Sequence, residues 1–424
     1  MKMNENLKKS QNTLGFKDIR YTKIFYFALF SMAAMTVLGS TAIAPSLPNL
    51  QAHFKNVDKI EVLSKLVLTM PAIFVVIVSP ISGFLFDKFA RLKLIFPCII
   101  LWSISGVAGF FLDNVYYILI SRAIFGIATA FVMTGSSALI ADYYKGIRRE
   151  KALSMQGFFN AFGGALFLVL GGILSNIGWQ YPFLVYFLGF VIFILALKYL
   201  FEPKRIAQTK PKKQDSSESK LAIESKTTTK DLSNSGFHFW TFFPVYTFGF
   251  LGMAMFYIVP TQMPFFIISI LHKGGELVGI SLAISSIFTA ISSLFYARLR
   301  QYFRLEYMYC IGFMSMGFGY FLISIFHNYV LLLVGLIFIG AALGILLVSG
   351  SSWLFSMTND YNRAKAFGFL VSAVFMGQFL SPIITQPVTN LVGLIDMFLV
   401  FSMFLFVLGV GFLIKGIKGM KKKF

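Results

Sequence analysis

Charged residues are scarce in this sequence. Only 13% of its 424 residues are Asp, Glu, Lys or Arg, whereas a typical soluble domain has about 25%. The two cysteines, Cys98 and Cys310, lie in apolar runs and offer neither a disulfide framework nor a metal site. The sequence also lacks the G-x-x-x-x-G-K-[ST] loop that holds nucleotide phosphates and the H-E-x-x-H pair that holds zinc. We therefore expect no cofactor and no metal ion, and a water-soluble enzyme is excluded.

Apolar residues dominate instead. They make up 57% of the chain, 51 residues are phenylalanine, and the mean hydropathy is +0.77. The runs are too long and continuous for the alternating strands of a membrane barrel, which leaves transmembrane helices. Each run has about 20 residues or more, enough to cross roughly 30 Å of hydrocarbon. The runs predict twelve helices near residues 24–48, 60–86, 94–112, 115–141, 152–174, 180–200, 240–270, 276–297, 307–327, 329–355, 366–392 and 395–414.

Basic residues are distributed unevenly between the two sides of such a bundle. Of 37 Lys and Arg residues, 32 fall on one side, Arg122 remains inside a span, and the other side receives four: Lys55, Lys59, Lys65 and Lys273. Because cytoplasmic loops carry the excess of basic residues, we expect a multi-pass protein of the bacterial inner membrane with both termini in the cytoplasm. The net charge of +20 then reflects topology, and no nucleic-acid partner is expected. The first apolar run is too long for a cleavable signal peptide.

A polar stretch divides the predicted helices into two groups of six. It extends from about Glu202 to Ser235 and is rich in Lys, Ser and Thr, which favours a disordered cytoplasmic linker. The expected organisation is an N-terminal arm (1–23), a six-helix bundle (24–200), the linker (201–237), a second six-helix bundle (238–414) and a basic cytoplasmic tail (415–424).

The two halves resemble each other at an offset of about 214 residues, half of the chain. The segment REKA at 149–152 matches RAKA at 363–366, and IAP at 43–45 matches IVP at 258–260 with one residue of slippage. Three further pairs match at the same offset: Gly163 with Gly377, Gly126 with Gly340, and Asn114 with Asn328. Because six is an even number, the second half enters the membrane from the same side, and the halves are parallel repeats.

The segment GFLFDKFARLK at 83–93 follows the second predicted helix. It resembles the loop G-x-L-x-D-[RK]-x-G-R-x-[KR] of the major facilitator superfamily, with alanine in place of the second glycine. Gly83 would let two helices approach closely, Asp87 would accept hydrogen bonds from a helix N-terminus, and Arg91 could pair with an acid. Together with Asp142, at the end of the fourth predicted helix, these residues form a predicted gate on the cytoplasmic face.

Other segments resemble the same superfamily. R-x-x-x-G at 122–126 and GWQYPF at 178–183 are similar to its motifs, and GQFLSP at 377–382 looks like a segment common in its drug and sugar exporters. The antiporter pattern G-x-x-x-G-P-x-x-G-G is incomplete in the fifth helix, where Phe167 and Leu168 replace G-P. Small residues let helices pack closely in lipid, and the predicted packing positions are Gly126, Gly163, Gly171, Gly172, Gly377 and Pro382.

Arg122 is the one charge that the sequence places clearly inside a span, which makes it a candidate for proton coupling or substrate binding. The structural alternative is an arginine satisfied by backbone carbonyls. No carboxylate lies in the middle of the first helix, where several related drug exporters carry one. The coupling acid therefore stays open among Asp87, Asp142 and Asp396. The polar and aromatic candidates for the cavity are Asn160, Tyr257, Gln262 and Gln378.

The resemblance implies the major facilitator fold, an all-α membrane protein with twelve transmembrane helices in two pseudo-symmetric six-helix bundles around a cavity. It implies a monomeric transporter of small molecules in the lipid bilayer, and not an enzyme. The first reading is export of drugs or sugars in exchange for protons by alternating access. A permease for anions or sugars, with Arg122 as the counter-charge of the substrate, is an alternative. An integral membrane enzyme or a lipid flippase is a more distant one.

Overall fold

The computed structural model describes residues 23–144, 147–203, 239–358 and 360–421. Within these ranges the regular structure is helical throughout. The first six spans are α1 (Lys23–Thr41, continued by Ala44–Ser46 and Leu47–His53), α2 (Ile60–Lys88), α3 (Arg91–Phe111), α4 (Val115–Tyr143), α5 (Ile147–Ser175) and α6 (Tyr181–Phe187 with Leu188–Tyr199). The last six are α7 (Phe239–Phe256, Ile258–Phe265 and Phe266–Ile270), α8 (Gly275–Tyr302), α9 (Leu305–Ile325), α10 (Tyr329–Met357), α11 (Asp360–Val392) and α12 (Leu394–Lys421).

The described helices are those of a membrane protein. Eleven are long and apolar enough to cross a bilayer, and the shorter apolar helix at the start of α1 is the twelfth. Large apolar side chains cover the outside of the bundle, with Leu294 81% and Val407 70% exposed. Lipid tails solvate such side chains as well as a protein core does. The prediction of an all-α, twelve-helix, multi-pass membrane protein is confirmed.

Successive helices alternate in direction, so the connections between them gather at the two ends of the bundle. The two ends differ in their content of Lys and Arg. Lys23 and Lys421, the first and last described residues, lie at one end, which we call the basic end. The opposite end, formed by the loops at 54–59, 112–114, 176–180, 271–274 and 326–328, is called the distal end. The predicted arm and linker lie almost wholly outside the described residues. The helix α12 continues to Lys421, past residue 414, where the predicted span ends.

The sequence repeat has counterparts in local structure. Asn114 accepts a hydrogen bond from the backbone N–H of Tyr116 at 2.9 Å and caps α4. Asn328, its partner in the repeat, accepts from Val330 at 2.8 Å and caps α10. The matched prolines at 45 and 260 both fall where the first helix of a half is interrupted, because proline lacks an N–H and clashes with the preceding turn.

Small residues bring the helices into direct backbone contact. A Cβ on Gly126 of α4 would lie 2.7 Å from the carbonyl oxygen of Pro71 on α2. Its repeat partner, Gly340 of α10, is tighter still, since a Cβ there would lie 2.1 Å from the carbonyl oxygen of Ser285 on α8. In lipid, such close packing supplies much of the attraction between helices.

The other predicted packing positions differ in tightness. A Cβ on Gly171 would lie 2.0 Å from the Ala42 carbonyl oxygen, and one on Gly377 would lie 2.4 Å from that of Phe250. Gly163 is looser, because a Cβ there would make an ordinary 3.4 Å contact with Ala34. Pro382 lies inside α11. Gly172 belongs to the contact between the halves.

Candidate functional site

At the distal end the two halves are locked together along α5 and α8. A Cβ on Gly172 would lie 2.5 Å from the Gly275 carbonyl oxygen, and one on Gly279 would lie 2.3 Å from the Leu168 carbonyl oxygen. The Asn176 side chain accepts a hydrogen bond from the Gly275 N–H at 2.8 Å and donates one to Glu276. These contacts leave no room for a side chain between the two helices.

A second contact between the halves joins α2 to α7 and α11. Lys65 of α2 is only 3% exposed. Its Nζ donates a hydrogen bond to Oε1 of Gln262 on α7 at 2.8 Å and another to Oε1 of Gln386 on α11. The ammonium also lies 4.7 Å from the ring centre of Phe265. One side chain of the first half is thus held by three side chains of the second.

The glutamines extend this network. Gln386 Nε2 donates to Oε2 of Glu61 at 3.0 Å and to Oδ1 of Asn390 at 2.7 Å. Gln262 Nε2 lies 3.3 Å from Thr389 Oγ1 and 3.3 Å from Gln386 Oε1. We call the set Glu61, Lys65, Gln262, Gln386 and Asn390 the amide network. It links both halves through hydrogen bonds that run from the buried Lys65, Gln262 and Gln386 to the exposed Glu61 and Asn390.

Toward the basic end the halves enclose a cavity of about 560 Å³. Its residues come from α2 and α4 of the first half and from α11 of the second. The lining is mostly apolar, with hydroxyls as its polar groups, and comprises Val75, Val76, Ser79, Pro80, Met133, Thr134, Ser137, Phe367, Gly368, Phe369, Val371, Ser372 and Phe375. The structure is therefore closed between the halves at the distal end and hollow between them toward the basic end.

Two expectations about buried charge are wrong. Lys65 was expected at the outer surface, and Arg122 was expected to be the one charge inside a span. The structure instead buries both side chains. A lysine near a helix end can reach water along its flexible stem, and the sequence does not show which face of α2 meets the other half. The sequence reasoning missed one signal. Gln386 and Asn390 are two amide side chains one helical turn apart on α11, and they indicate hydrogen-bond partners for a buried polar group such as Lys65.

Arg122 lies inside the first half, away from the cavity. Its Nη2 donates hydrogen bonds to the carbonyl oxygens of Ser105 and Gly106 on α3, both at 2.7 Å. The guanidinium lies 4.6, 5.1 and 5.0 Å from the ring centres of Phe125, Phe183 and Tyr186. Carbonyls and aromatic faces compensate a buried cation. This environment corresponds to the alternative of an arginine satisfied by backbone carbonyls. A role of Arg122 in coupling or substrate binding stays a prediction.

Part of the predicted cytoplasmic gate is visible at the basic end. Arg91 Nε donates to Oδ2 of Asp142 at 3.0 Å, and Arg91 Nη1 donates to the Phe86 carbonyl oxygen at 2.5 Å. The side chain of Asp87 lies outside the described part of the structure. A Cβ on Gly83 would meet none of the described atoms within 4 Å, so the expected close helix approach is absent there. The gating role of these residues stays a prediction.

Glu202 is a residue of this end that the sequence did not single out. Its two carboxylate oxygens accept hydrogen bonds from the backbone N–H groups of Arg91 and Leu92, at 2.7 and 2.8 Å. These are the first N–H groups of α3, which have no partner within the helix. A carboxylate more than 100 residues away in sequence thus caps α3. No local sequence pattern indicates this contact.

The polar candidates for the cavity lie apart from its lining. Gln262 belongs to the amide network. Tyr257 is 7% and Gln378 is 6% exposed, on α7 and α11. The Asn160 side chain on α5 has an oxygen without a hydrogen-bond partner among the described residues. The roles of these three residues stay predictions.

Comparison with known proteins agrees with this architecture. The family model of the Major Facilitator Superfamily matches residues 29–278 and 250–422. Quinolone resistance protein NorA of Staphylococcus aureus is 25% identical over 188 residues, which are 43% of this chain and 45% of NorA. Multidrug resistance protein 1 of Bacillus subtilis strain 168 is 32% identical over 139 residues, 32% of this chain and 35% of that protein. These alignments span less than half of each relative.

A solved structure shows the same fold over nearly the full length. The nucleoside transporter NupG superposes with a TM-score of 0.73 at 14% sequence identity, covering 92% of this chain and 98% of NupG. Two helical bundles closed at one end and hollow toward the other define a multi-pass membrane protein of this fold. The chain belongs to the Major Facilitator Superfamily.

Proposed function

We propose that this protein is a secondary active transporter that exports apolar or amphipathic small molecules in exchange for protons. The observation that carries the proposal is the asymmetry between its ends. The halves touch along α5 and α8 and through the amide network at the distal end, and they enclose a cavity toward the basic end. Alternating access requires such a state and a second one in which the distal end is open.

The substrate class follows from the lining of the cavity. Phe367, Phe369, Phe375 and Met133 offer broad apolar and aromatic surfaces, which suit ligands that bind by shape and hydrophobic contact. Sugars need several convergent hydrogen-bonding groups, and the lining supplies few. The names of the two bacterial relatives, a quinolone resistance protein and a multidrug resistance protein, support the drug reading.

The cavity does not favour an anion permease. Such a permease would need a cation within reach of the substrate, and the lining residues include none. Arg122, the predicted counter-charge, already donates to two carbonyls of α3 inside the first half. The described structure therefore supports the exporter rather than this alternative.

Direction and energy source follow from charge. The basic end carries the Lys and Arg excess, so it faces the cytoplasm of a bacterial cell, and the cavity faces that side in this state. A membrane potential and a proton gradient across the inner membrane would drive export. We expect the monomer to suffice, because each half supplies its share of the cavity.

The test is transport by the purified protein in proteoliposomes. The cationic dye ethidium and a panel of sugars and nucleosides are offered, with and without an imposed pH gradient. The proposal predicts dye movement that is coupled to the pH gradient and is abolished when an ionophore collapses the gradient. Gradient-driven movement of a sugar or nucleoside but not of the dye would overturn the substrate class. Dye movement at the same rate with and without the pH gradient would overturn the coupling of transport to protons.

A further inference from the structure

Acidic and basic side chains are almost absent from the interior of the described residues. Among their Asp, Glu, His, Lys and Arg side chains, only Lys65 and Arg122 are buried. Arginine stays protonated under all ordinary conditions in proteins, so Arg122 cannot take up and release a proton. Lysine can do so when it is removed from water. Proton antiport needs an ionisable group in the protein, and Lys65 is the buried group that meets this need.

The position of Lys65 fits a group that senses the conformational state. It belongs to α2 of the first half, and its hydrogen-bond acceptors belong to α7 and α11 of the second. When the distal end opens, α2 must part from α7 and α11, and these bonds must break. The amine then meets water from the distal side. Its environment therefore changes with the step that alternating access requires.

Burial disfavours the charged form of the amine in the distal-closed state, and its neighbours offset only part of that cost. Both glutamines present their acceptor oxygens to it, and the face of Phe265 attracts a cation. Glu61, one turn away on α2, accepts from Gln386 and adds a negative charge nearby. Few other ionisable groups lie on the packed elements. They are Lys59 at the start of α2, Asp87 and Lys88 at its other end, His53, engaged with Asp113 at 2.6 Å, Arg122, bonded to α3, and the tyrosines of α7. The helix α11 has none between residues 366 and 392.

We propose that Lys65 is the proton-coupling residue of the transport cycle. Its ammonium form favours the open distal end, where water surrounds it, and its neutral amine, which keeps two N–H groups for Gln262 and Gln386, favours the closed one. The assignment rests on the proposed function, since coupling has meaning only in a proton-driven transporter. It makes the coupling group an amine rather than one of the carboxylates expected from the sequence. Glu61 is a positioning residue, because it orients Gln386 and does not touch the amine.

The direction of the effect suits an exporter. When the distal end is open, the amine lies in water and binds a proton from the distal side. Closure removes the amine from water, which weakens its hold on the proton. The proton is released toward the basic side, which the cavity faces, and the neutral amine keeps two N–H groups for Gln262 and Gln386. One proton enters and leaves the same nitrogen in each cycle, and no other reactant is needed.

The experiment measures opening of the distal end without any substrate. Spin labels are attached to cysteines at Asn56 and Val330, which lie at the distal end of the first and second halves. Cys98→Ala and Cys310→Ala remove the native thiols. Distances are measured by double electron–electron resonance in lipid nanodiscs at about pH 6 and about pH 9, both below the range in which a lysine in water titrates. The variants are Lys65→Met and Lys65→Arg, with Lys273→Met, an exposed distal lysine, as the matched control.

The wild type should be closed at about pH 9 and should gain a longer distance at about pH 6. The closed-to-open ratio should fall about tenfold at the lower pH, because a buried ammonium is disfavoured relative to one in water. Lys273→Met should behave like the wild type. Lys65→Met and Lys65→Arg should each give a distribution that does not change with pH, because neither side chain titrates in this range.

Two results would overturn the assignment. One is a wild-type distance distribution that is the same at both pH values. The other is a pH response that survives unchanged in Lys65→Met, since the proton would then act elsewhere. Dye export in proteoliposomes separates this failure from that of the proposed function. If the wild type shows no gradient-driven export but keeps a Lys65-dependent opening, the proposed function fails while the proton-dependent closure stands.

Discussion

Gly279 of α8 packs directly on the backbone of α5, where a Cβ would lie 2.3 Å from the Leu168 carbonyl oxygen. The contact joins the two halves at the distal end and leaves no space for a side chain. Gly172, about one helical turn further along α5 than Leu168, is also tightly packed, since a Cβ there would lie 2.5 Å from the Gly275 carbonyl oxygen. The closed state of the distal end therefore depends on glycine at several positions of one interface.

The first prediction is that Gly279→Leu opens the distal end. Overpacking costs roughly 1–3 kcal/mol, which corresponds to about a 5-fold to 150-fold change in the ratio of the two states. The Asn56 and Val330 spin-label pair should report a longer distance. Gly157→Leu is the control, because a Cβ there meets no described atom within 4 Å. An unchanged distance in a folded Gly279→Leu protein would contradict the role of this interface.

The second prediction is that Arg122 serves stability rather than substrate recognition. Arg122→Met removes two hydrogen bonds to α3 carbonyls and leaves these carbonyl oxygens without the arginine donor. Charge-assisted hydrogen bonds contribute about 1.5–3 kcal/mol each, so the thermal unfolding temperature should fall clearly. Arg122→Lys should lower it less, since a lysine keeps the charge but loses the planar fork. A sharp loss of substrate affinity in a fully stable Arg122→Lys protein would support the anion permease instead.

Much of the architecture could be predicted from the sequence, because lipid forces each apolar run of sufficient length into a helix. The sequence repeat also predicted equivalent local structure in the two halves, since Asn114 and Asn328 cap equivalent helices through purely local hydrogen bonds. Long-range partners could not be predicted. Glu202 caps α3 from beyond α6, and nothing in its local sequence indicates that. Lys65 is buried only because α7 and α11 of the other half close over it.

The third prediction concerns the basic end. Asp142→Asn removes the carboxylate that Arg91 holds at 3.0 Å. Ion pairs near a surface contribute about 0.2–1 kcal/mol, so the balance of states should shift by up to about fivefold and the transport rate should change accordingly. Glu202→Gln is the comparison, because Glu202 bonds the Arg91 backbone and not its guanidinium. Equal transport by wild type and Asp142→Asn would remove Asp142 from the gate.

The fourth prediction concerns orientation. If the basic end is cytoplasmic, the Lys-rich linker at 201–237 is accessible to trypsin from that side alone. Inside-out membrane vesicles should yield two fragments of about half the chain each, while intact spheroplasts should protect the linker. Cleavage by protease added to intact spheroplasts would reverse the orientation and, with it, the direction of transport.

The fifth prediction concerns the cavity between the halves, where the protein is proposed to bind its substrate. Gly368 lines this cavity on α11, and a Cβ there meets no described atom within 4 Å. Gly368→Trp should therefore fill the cavity without disturbing the fold. Gly411 of α12 is the matched control, since it is exposed and equally unobstructed but lies outside the lining.

The most direct test of the account is ethidium transport in proteoliposomes with an imposed pH gradient, compared among wild type, Gly368→Trp and Gly411→Trp. The account predicts gradient-driven transport by the wild type and by Gly411→Trp. It predicts loss of transport by at least about tenfold in Gly368→Trp, because an indole occupies the apolar space that the dye needs. Full transport by a stable Gly368→Trp protein would contradict the claim that substrates bind in this cavity.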